Sequence, residues 1–179
     1  MSFIAKYNYF ELFDLPISFE VDLNALHDAQ LKLLSELHPD RFVNSSDQEK
    51  RLSVQKSAMV NEAFETLKEP VKRADYLLLL AGLDKDDSQT TNDSTFLIEQ
   101  IEYREAMSGC KIDAAPLDCI DCVGQRIKSR ANDFSNEFKQ QYQQENYENA
   151  QESARKMMFV TKILAQLSDL QTEIEDEMM

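Results

Sequence analysis

The chain has 179 residues, 42% of them apolar, and a formal charge of −14. That length suits one domain or two small ones with their own cores, and an acidic chain without a basic stripe excludes nucleic acid as a natural partner. With no Trp, three Gly, four Pro and no alternating β-branched run, the composition predicts an all-α fold.

In chain order, "NYFELFDLP" predicts a short helix ended by Pro16. Asp22 is a good N-cap for a second helix running to about Leu37, with Leu23, Leu26, Leu33, Leu34 and Leu37 as its apolar repeat. Pro39 disfavours the α conformation at His38 and stops it. "HPDRFVNSSDQ" reads as a loop. A third helix carries Val60, Ala63, Phe64 and Leu67, with Pro70 near its end, and "VKRADYLLLLA" forms another, closed by Gly82. Residues 83–93, "LDKDDSQTTND", are polar and breaker-rich and make the best boundary in the chain. Three helices follow. The first covers about 94–107 and ends near Gly109. The second starts near Pro116 and carries Ile120, Val123, Ile127, Ala131, Phe134 and Phe138. The third follows "ENYEN" and carries Val160, Ile163, Leu167, Leu170 and Ile174, and the three stripes fit a small antiparallel bundle. Charge divides at the same boundary, with a net of −4 over residues 1–82 and −10 over 83–179.

No stretch is apolar enough to span a membrane, and "MSFIAKYNYF" lacks the basic start and apolar run of a signal peptide. Three cysteines, an odd number, argue against a secreted disulfide framework and for a reducing cytoplasm. Cys119 and Cys122 in "CIDC" have metal-ligand spacing with Cys110 nearby, but no histidine in the segment supplies a fourth ligand. The plainer reading is two cysteines one turn apart on a helix, so no metal and no cofactor is expected. His38 and Asp40 form a conceivable acid/base pair, yet no nucleophile, oxyanion donor or Gly-rich phosphate loop accompanies them, so an enzyme is not expected. His27 lies inside a helix and reads as a surface or packing residue.

"LHPDRF" sits between two antiparallel helices, after "NYFELFDLP" and before "VNEAFETL", and this arrangement resembles the J-domain of DnaJ-type co-chaperones. Together with "QKSAMVNEAFETLKEPVKRADYLLLLAG" and "DSTFLIEQIEYRE", it is similar to the HscB family, J-proteins of iron–sulfur cluster assembly, over nearly the whole chain from Tyr9. The resemblance implies a J-domain in residues 1–82, a linker at 83–93 and a C-terminal three-helix, scaffold-binding domain in 94–179. It further implies a cytoplasmic co-chaperone whose J-domain stimulates the ATPase of a DnaK-type chaperone (HscA) through His38, Pro39 and Asp40, with Arg41 and Lys32 beside them. The C-terminal domain would hold the scaffold protein IscU on Leu97, Ile98, Ile101, Glu102, Glu105 and Phe159.

On a helical wheel, Phe96, Tyr103 and Met107 make one stripe of the 94–107 helix, and Leu97, Ile98 and Ile101 point roughly opposite, flanked by Glu102 and Glu105. A bundle helix needs one apolar stripe; a second either packs elsewhere or awaits a partner, and a polar edge around an apolar centre is how interfaces are built. Phe159 borders the third-helix stripe and also fits a packing role. Asp40 also fits an N-cap or Asx-turn. Two features depart from the general J-domain pattern: the second helix contains one basic residue, Lys32, and Leu37 stands before the histidine where Tyr is common. The alternatives are a general J-protein for unfolded clients, and direct metal or cluster handling through Cys110, Cys119 and Cys122.

Overall fold

Side-chain caps open four of the α-helices in this computed structural model, which describes residues 8–42, 46–83 and 93–178. Among the described residues there are helices, turns and loops and no strand, an all-α architecture. Chain contacts divide into two units, residues 1–83 and 84–179. Most of the expected linker, residues 84–92, lies outside the described residues.

In the first unit, Asn8 and Glu11 form a reciprocal capping box on α1 (Tyr9–Leu12), each side chain accepting from the other's N–H at 3.0 Å. The Tyr9 N–H donates to the Tyr76 hydroxyl at 2.9 Å and the two rings stack 4.4 Å apart, which ties the chain start to α4 (Pro70–Leu80). The Asp22 carboxylate accepts from the N–H groups of Asn24 and Ala25 and opens α2 (Leu23–Glu36). Ser46 and Glu49 make a second capping box on α3 (Asp47–Lys68). Pro70 stands just past the end of α3 and opens α4 at its first position, where its missing N–H costs no intrahelical bond. Gly82, at φ 83°, closes α4: its N–H donates to the Leu79 carbonyl and that of Leu83 to Leu78.

α2 and α3 run antiparallel, since Gln30 donates to Asn61 at 3.1 Å and His27 faces Phe64 with ring centroids 6.1 Å apart. His27 is an exposed residue that leans on Phe64 at the rim of the hairpin. Of the predicted α2 stripe, Leu26 is fully buried and Leu33, Leu34 and Leu37 are half-buried. Leu23 departs from expectation and is exposed. It sits in the first turn beside an open groove that it shares with Phe64 and Lys68, at the far end of the hairpin. The core is Phe10, Phe13, Phe19, Leu26, Val60, Ala63, Leu67, Ala74, Leu77 and Leu78. Arg73 is buried with them. It donates to the Leu67 carbonyl and lies 5.0 Å over the Phe19 ring, and its burial lowers the guanidinium pKa.

In the second unit, Asp93 caps α5 (Ser94–Cys110), accepting from the N–H groups of Thr95 and Phe96. α6 (Pro116–Gln143) and α7 (Tyr147–Glu177) form a long hairpin. Its turn places Glu145 at φ 56° and closes with the Asn146 N–H on the Gln141 carbonyl, so α7 begins inside "ENYEN" rather than after it. Ile120, Gly124, Ile127, Phe134 and Phe138 of α6 face Met157, Val160, Ile163, Leu167 and Leu170 of α7, a spacing of three and four residues that interdigitates two antiparallel helices. Gly124 lets them close in: a Cβ there would stand 3.2 Å from Leu167 Cδ2.

Candidate functional sites

The first candidate site follows α2 directly. The Leu37 N–H makes the last helical bond, to the Leu33 carbonyl, and Pro39–Phe42 then form one 3₁₀ turn closed by the Arg41 N–H on the His38 carbonyl at 3.0 Å. The His38 and Asp40 side chains are 60% and 87% exposed, so neither is committed to the core. His38 Nδ1 accepts from the Asp40 N–H at 3.3 Å and lies 3.6 Å from the Asp40 carboxylate. The turn thus offers an exposed imidazole and an exposed carboxylate, held beside each other after the Pro39 stop. Asp40 caps no helix; Ser46 caps α3. Arg41 and Lys32 are exposed, and Lys50 and Arg51 lie in the first turns of α3.

The second candidate site is built on α5. Its inner face buries Phe96, Tyr103 and Cys110, while Met107 is half-buried. Phe96 meets Phe134 and Phe159 edge-on, with centroids 5.5 and 5.4 Å away. Charged pairs clasp the same side. Lys156 Nζ donates to Asp93 at 2.6 Å, Arg130 to Glu99 at 3.0 Å, and Arg126 to Glu102 at 2.9 Å. The Tyr103 hydroxyl donates to Glu99 at 3.0 Å, and burial together with that carboxylate pushes the phenol up to about 12.

Leu97, Ile98 and Ile101 are left on the outer face at 45%, 58% and 55% exposure, with Glu105 exposed among them. Phe159 is half-buried between Phe96 and the Arg104 guanidinium, 5.8 Å from its ring, so it packs and also borders the outer face. Glu102 is less available than the wheel suggests, because Arg126 already holds its carboxylate. Arg104, which sequence reasoning did not single out, lies on the outer face seven residues after Leu97.

Cys110 and Cys119 are joined by a disulfide, and Cys122 is the free, exposed cysteine. The odd number argued against a disulfide framework, and one disulfide is present with one cysteine left over. Cys119 and Cys122 do lie one turn apart on α6 as expected, but the partner of Cys119 is across the α5–α6 turn, a proximity that spacing within "CIDC" could not reveal. Among the described residues no group of three or more His, Cys, Asp or Glu could hold a metal ion, and no helix is long and apolar enough to cross a membrane.

Residues 92–168 match the family described as the HSCB C-terminal oligomerisation domain. The chain is 35% identical over 176 residues to a co-chaperone protein HscB homolog of Shewanella sp. (strain MR-4), covering 96% of this chain and 99% of that one. The chain belongs to the HscB co-chaperone family. Among solved structures, chaperone HscB from Vibrio cholerae superposes with a TM-score of 0.84 at 31% identity, covering 97% of this chain and all of that one. The human co-chaperone protein HscB superposes equally well, with a TM-score of 0.84 at 28% identity, covering 92% of this chain and 82% of that one. HscB structures share the all-α fold described above.

Proposed function

We propose that this HscB protein is an adaptor with two docking surfaces and no chemistry of its own. Its HPD turn (His38, Pro39, Asp40, with Arg41 and Lys32 alongside) docks on a DnaK-type chaperone, HscA, and stimulates ATP hydrolysis there. The outer face of α5 holds the iron–sulfur scaffold IscU, with Leu97, Ile98 and Ile101 at its centre and Glu102, Glu105 and Phe159 at its edges. Residues 1–82 serve as the J-domain, 94–179 as the scaffold-binding domain, and the setting is the cytoplasm.

The observation that carries this reading is the two-sided α5. Its inner face is already clasped by aromatic packing and ion pairs, so folding gives Leu97, Ile98 and Ile101 no further burial. An apolar centre with a charged edge fits a protein partner better than solvent. The HPD turn supports the other half of the reading, because its imidazole and carboxylate are exposed on a constrained loop and available for charge-assisted hydrogen bonds.

The test is steady-state ATPase of the DnaK-type chaperone with this protein, the scaffold, or both. Synergy between the two supports the adaptor. Equal stimulation without scaffold, together with binding of unfolded clients, supports a general J-protein instead.

A further inference from the structure

All three cysteines gather at one end of the α5–α6 pair. Cys110 is the last residue of α5 and is fully buried, Cys119 lies in the first turns of α6 and is half-exposed, and Cys122 is exposed one turn further on. Residues 111–115 turn the chain between the helices. The Ile112 N–H donates to the Gly109 carbonyl, the Asp113 N–H to the Cys110 carbonyl, and the Ala115 N–H to the Asp113 carboxylate. The Cys110–Cys119 bond spans this turn with Cα atoms 5.4 Å apart. Neither docking surface uses these residues.

We propose that this cluster is a thiol–disulfide exchange site, taking cellular dithiols as its reactant, and that the bond is a reversible staple on the end of α5. Accessibility decides which sulfur reacts. Cys110 Sγ is closed to solvent, whereas Cys119 can be reached. A dithiol's thiolate attacks Cys119 Sγ and forms a mixed disulfide; the Cys110–Cys119 bond breaks, and Cys110 leaves with the electron pair and takes up a proton. The dithiol's second thiolate then attacks its own mixed-disulfide sulfur and releases Cys119 as a thiolate, which is protonated in turn. Two electrons have passed to the protein, and the dithiol ends as a disulfide. Disulfide formation by glutathione disulfide runs through the same Cys119 mixed disulfide, with Cys110 displacing glutathione. In a reducing compartment such a bond is transient and regulatory.

The consequence is local. Upstream, α5 stays clasped by Asp93–Lys156 and Glu99–Arg130 in either state. Downstream of Tyr103 the disulfide is the covalent tie between α5 and α6 besides the 111–115 backbone itself, and Lys111 adds an exposed ion pair to Glu173 at 2.9 Å. Reduction therefore loosens the last two turns of α5 and the 111–115 turn, while residues 94–102 keep their protection.

The experiment equilibrates the full chain in glutathione buffers of graded ratio, quenches with acid, and counts thiols by mass-tagged alkylation with peptide mapping. The oxidised form should carry one free thiol, on Cys122, and a Cys110–Cys119 linkage; after dithiothreitol all three should be free. Cys122→Ser should show the same transition with none and two. Hydrogen–deuterium exchange over 103–115 should be roughly tenfold faster in the reduced form, and Cys119→Ser should exchange at that faster rate in either buffer. Three free thiols at every ratio, a linkage involving Cys122 in place of Cys110, or exchange over 103–115 that does not respond to reduction would each overturn the proposal.

Discussion

Replacing Leu97 and Ile101 together by Ala separates a docking face from a packed one. Full burial of a Leu or Ile side chain is worth about 1.5–3 kcal/mol. These two are 45% and 55% exposed, so roughly half of that, about 1 kcal/mol each, is not realised by folding. If a scaffold protein covers the face, the double variant should lose about 2 kcal/mol of binding, a roughly thirtyfold rise in Kd by titration calorimetry. The loss of folding stability should be about 1–2 kcal/mol, because the half of each burial that folding does realise, about 1 kcal/mol per side chain, is offset only by the few tenths that Ala gains in helix propensity. Phe96→Ala, on the buried face of the same helix at 3% exposure, provides the contrast and should cost about 3–5 kcal/mol. Urea unfolding followed by circular dichroism measures both. Either of two results refutes the reasoning: unchanged scaffold affinity, or a stability loss in the double variant that matches Phe96→Ala.

His38→Gln should abolish stimulation of the chaperone ATPase with an unchanged unfolding midpoint, since the imidazole is 60% exposed and accepts its hydrogen bond from the Asp40 N–H within its own turn; a retained stimulation would remove the HPD turn from the mechanism. Tyr103 has its pKa raised to about 12 in the folded state, so its contribution to stability is fully present below about pH 10 and is lost as pH rises through 12. Tyr103→Phe should accordingly flatten the fall in urea midpoint between pH 9 and about 12, and an equally steep fall would show that another group titrates. Gly124→Leu should destabilise the α6–α7 hairpin by about 2–3 kcal/mol, since even a Cβ meets Leu167 Cδ2 at 3.2 Å; wild-type stability would mean that the helices move apart freely.

Much of the fold was legible because local chemistry and tertiary packing agree. Asp22, Pro39, Gly82 and Pro116 mark helix ends through backbone rules that hold in any fold, and the α7 stripe of Val160, Ile163, Leu167, Leu170 and Ile174 is buried as its spacing predicts. Pro70 stands just past the end of α3 as expected and also opens α4, because the same residue can follow one helix and begin the next. The HPD turn was legible as a helix stop from Pro39, and as a candidate docking loop through its resemblance to J-domains. Two-sidedness of α5 was legible too, but not which acidic residues are free. Glu102 is held by Arg126, 24 positions away, and no local pattern encodes that pair.

By itself the sequence determined an all-helical chain, the ends of most helices, the HPD turn and the two apolar sides of α5, since these depend on propensity, capping and periodicity over a few residues. Only the tertiary structure decided that Leu23 is exposed, that Phe159 lies between Phe96 and Arg104, that Glu99 and Glu102 meet Arg130 and Arg126, and that Cys110 pairs with Cys119. Each of these rests on which helices become neighbours and in what register. That is set by the summed packing of whole helices, and it brings together residues whose separation along the chain carries no local signal.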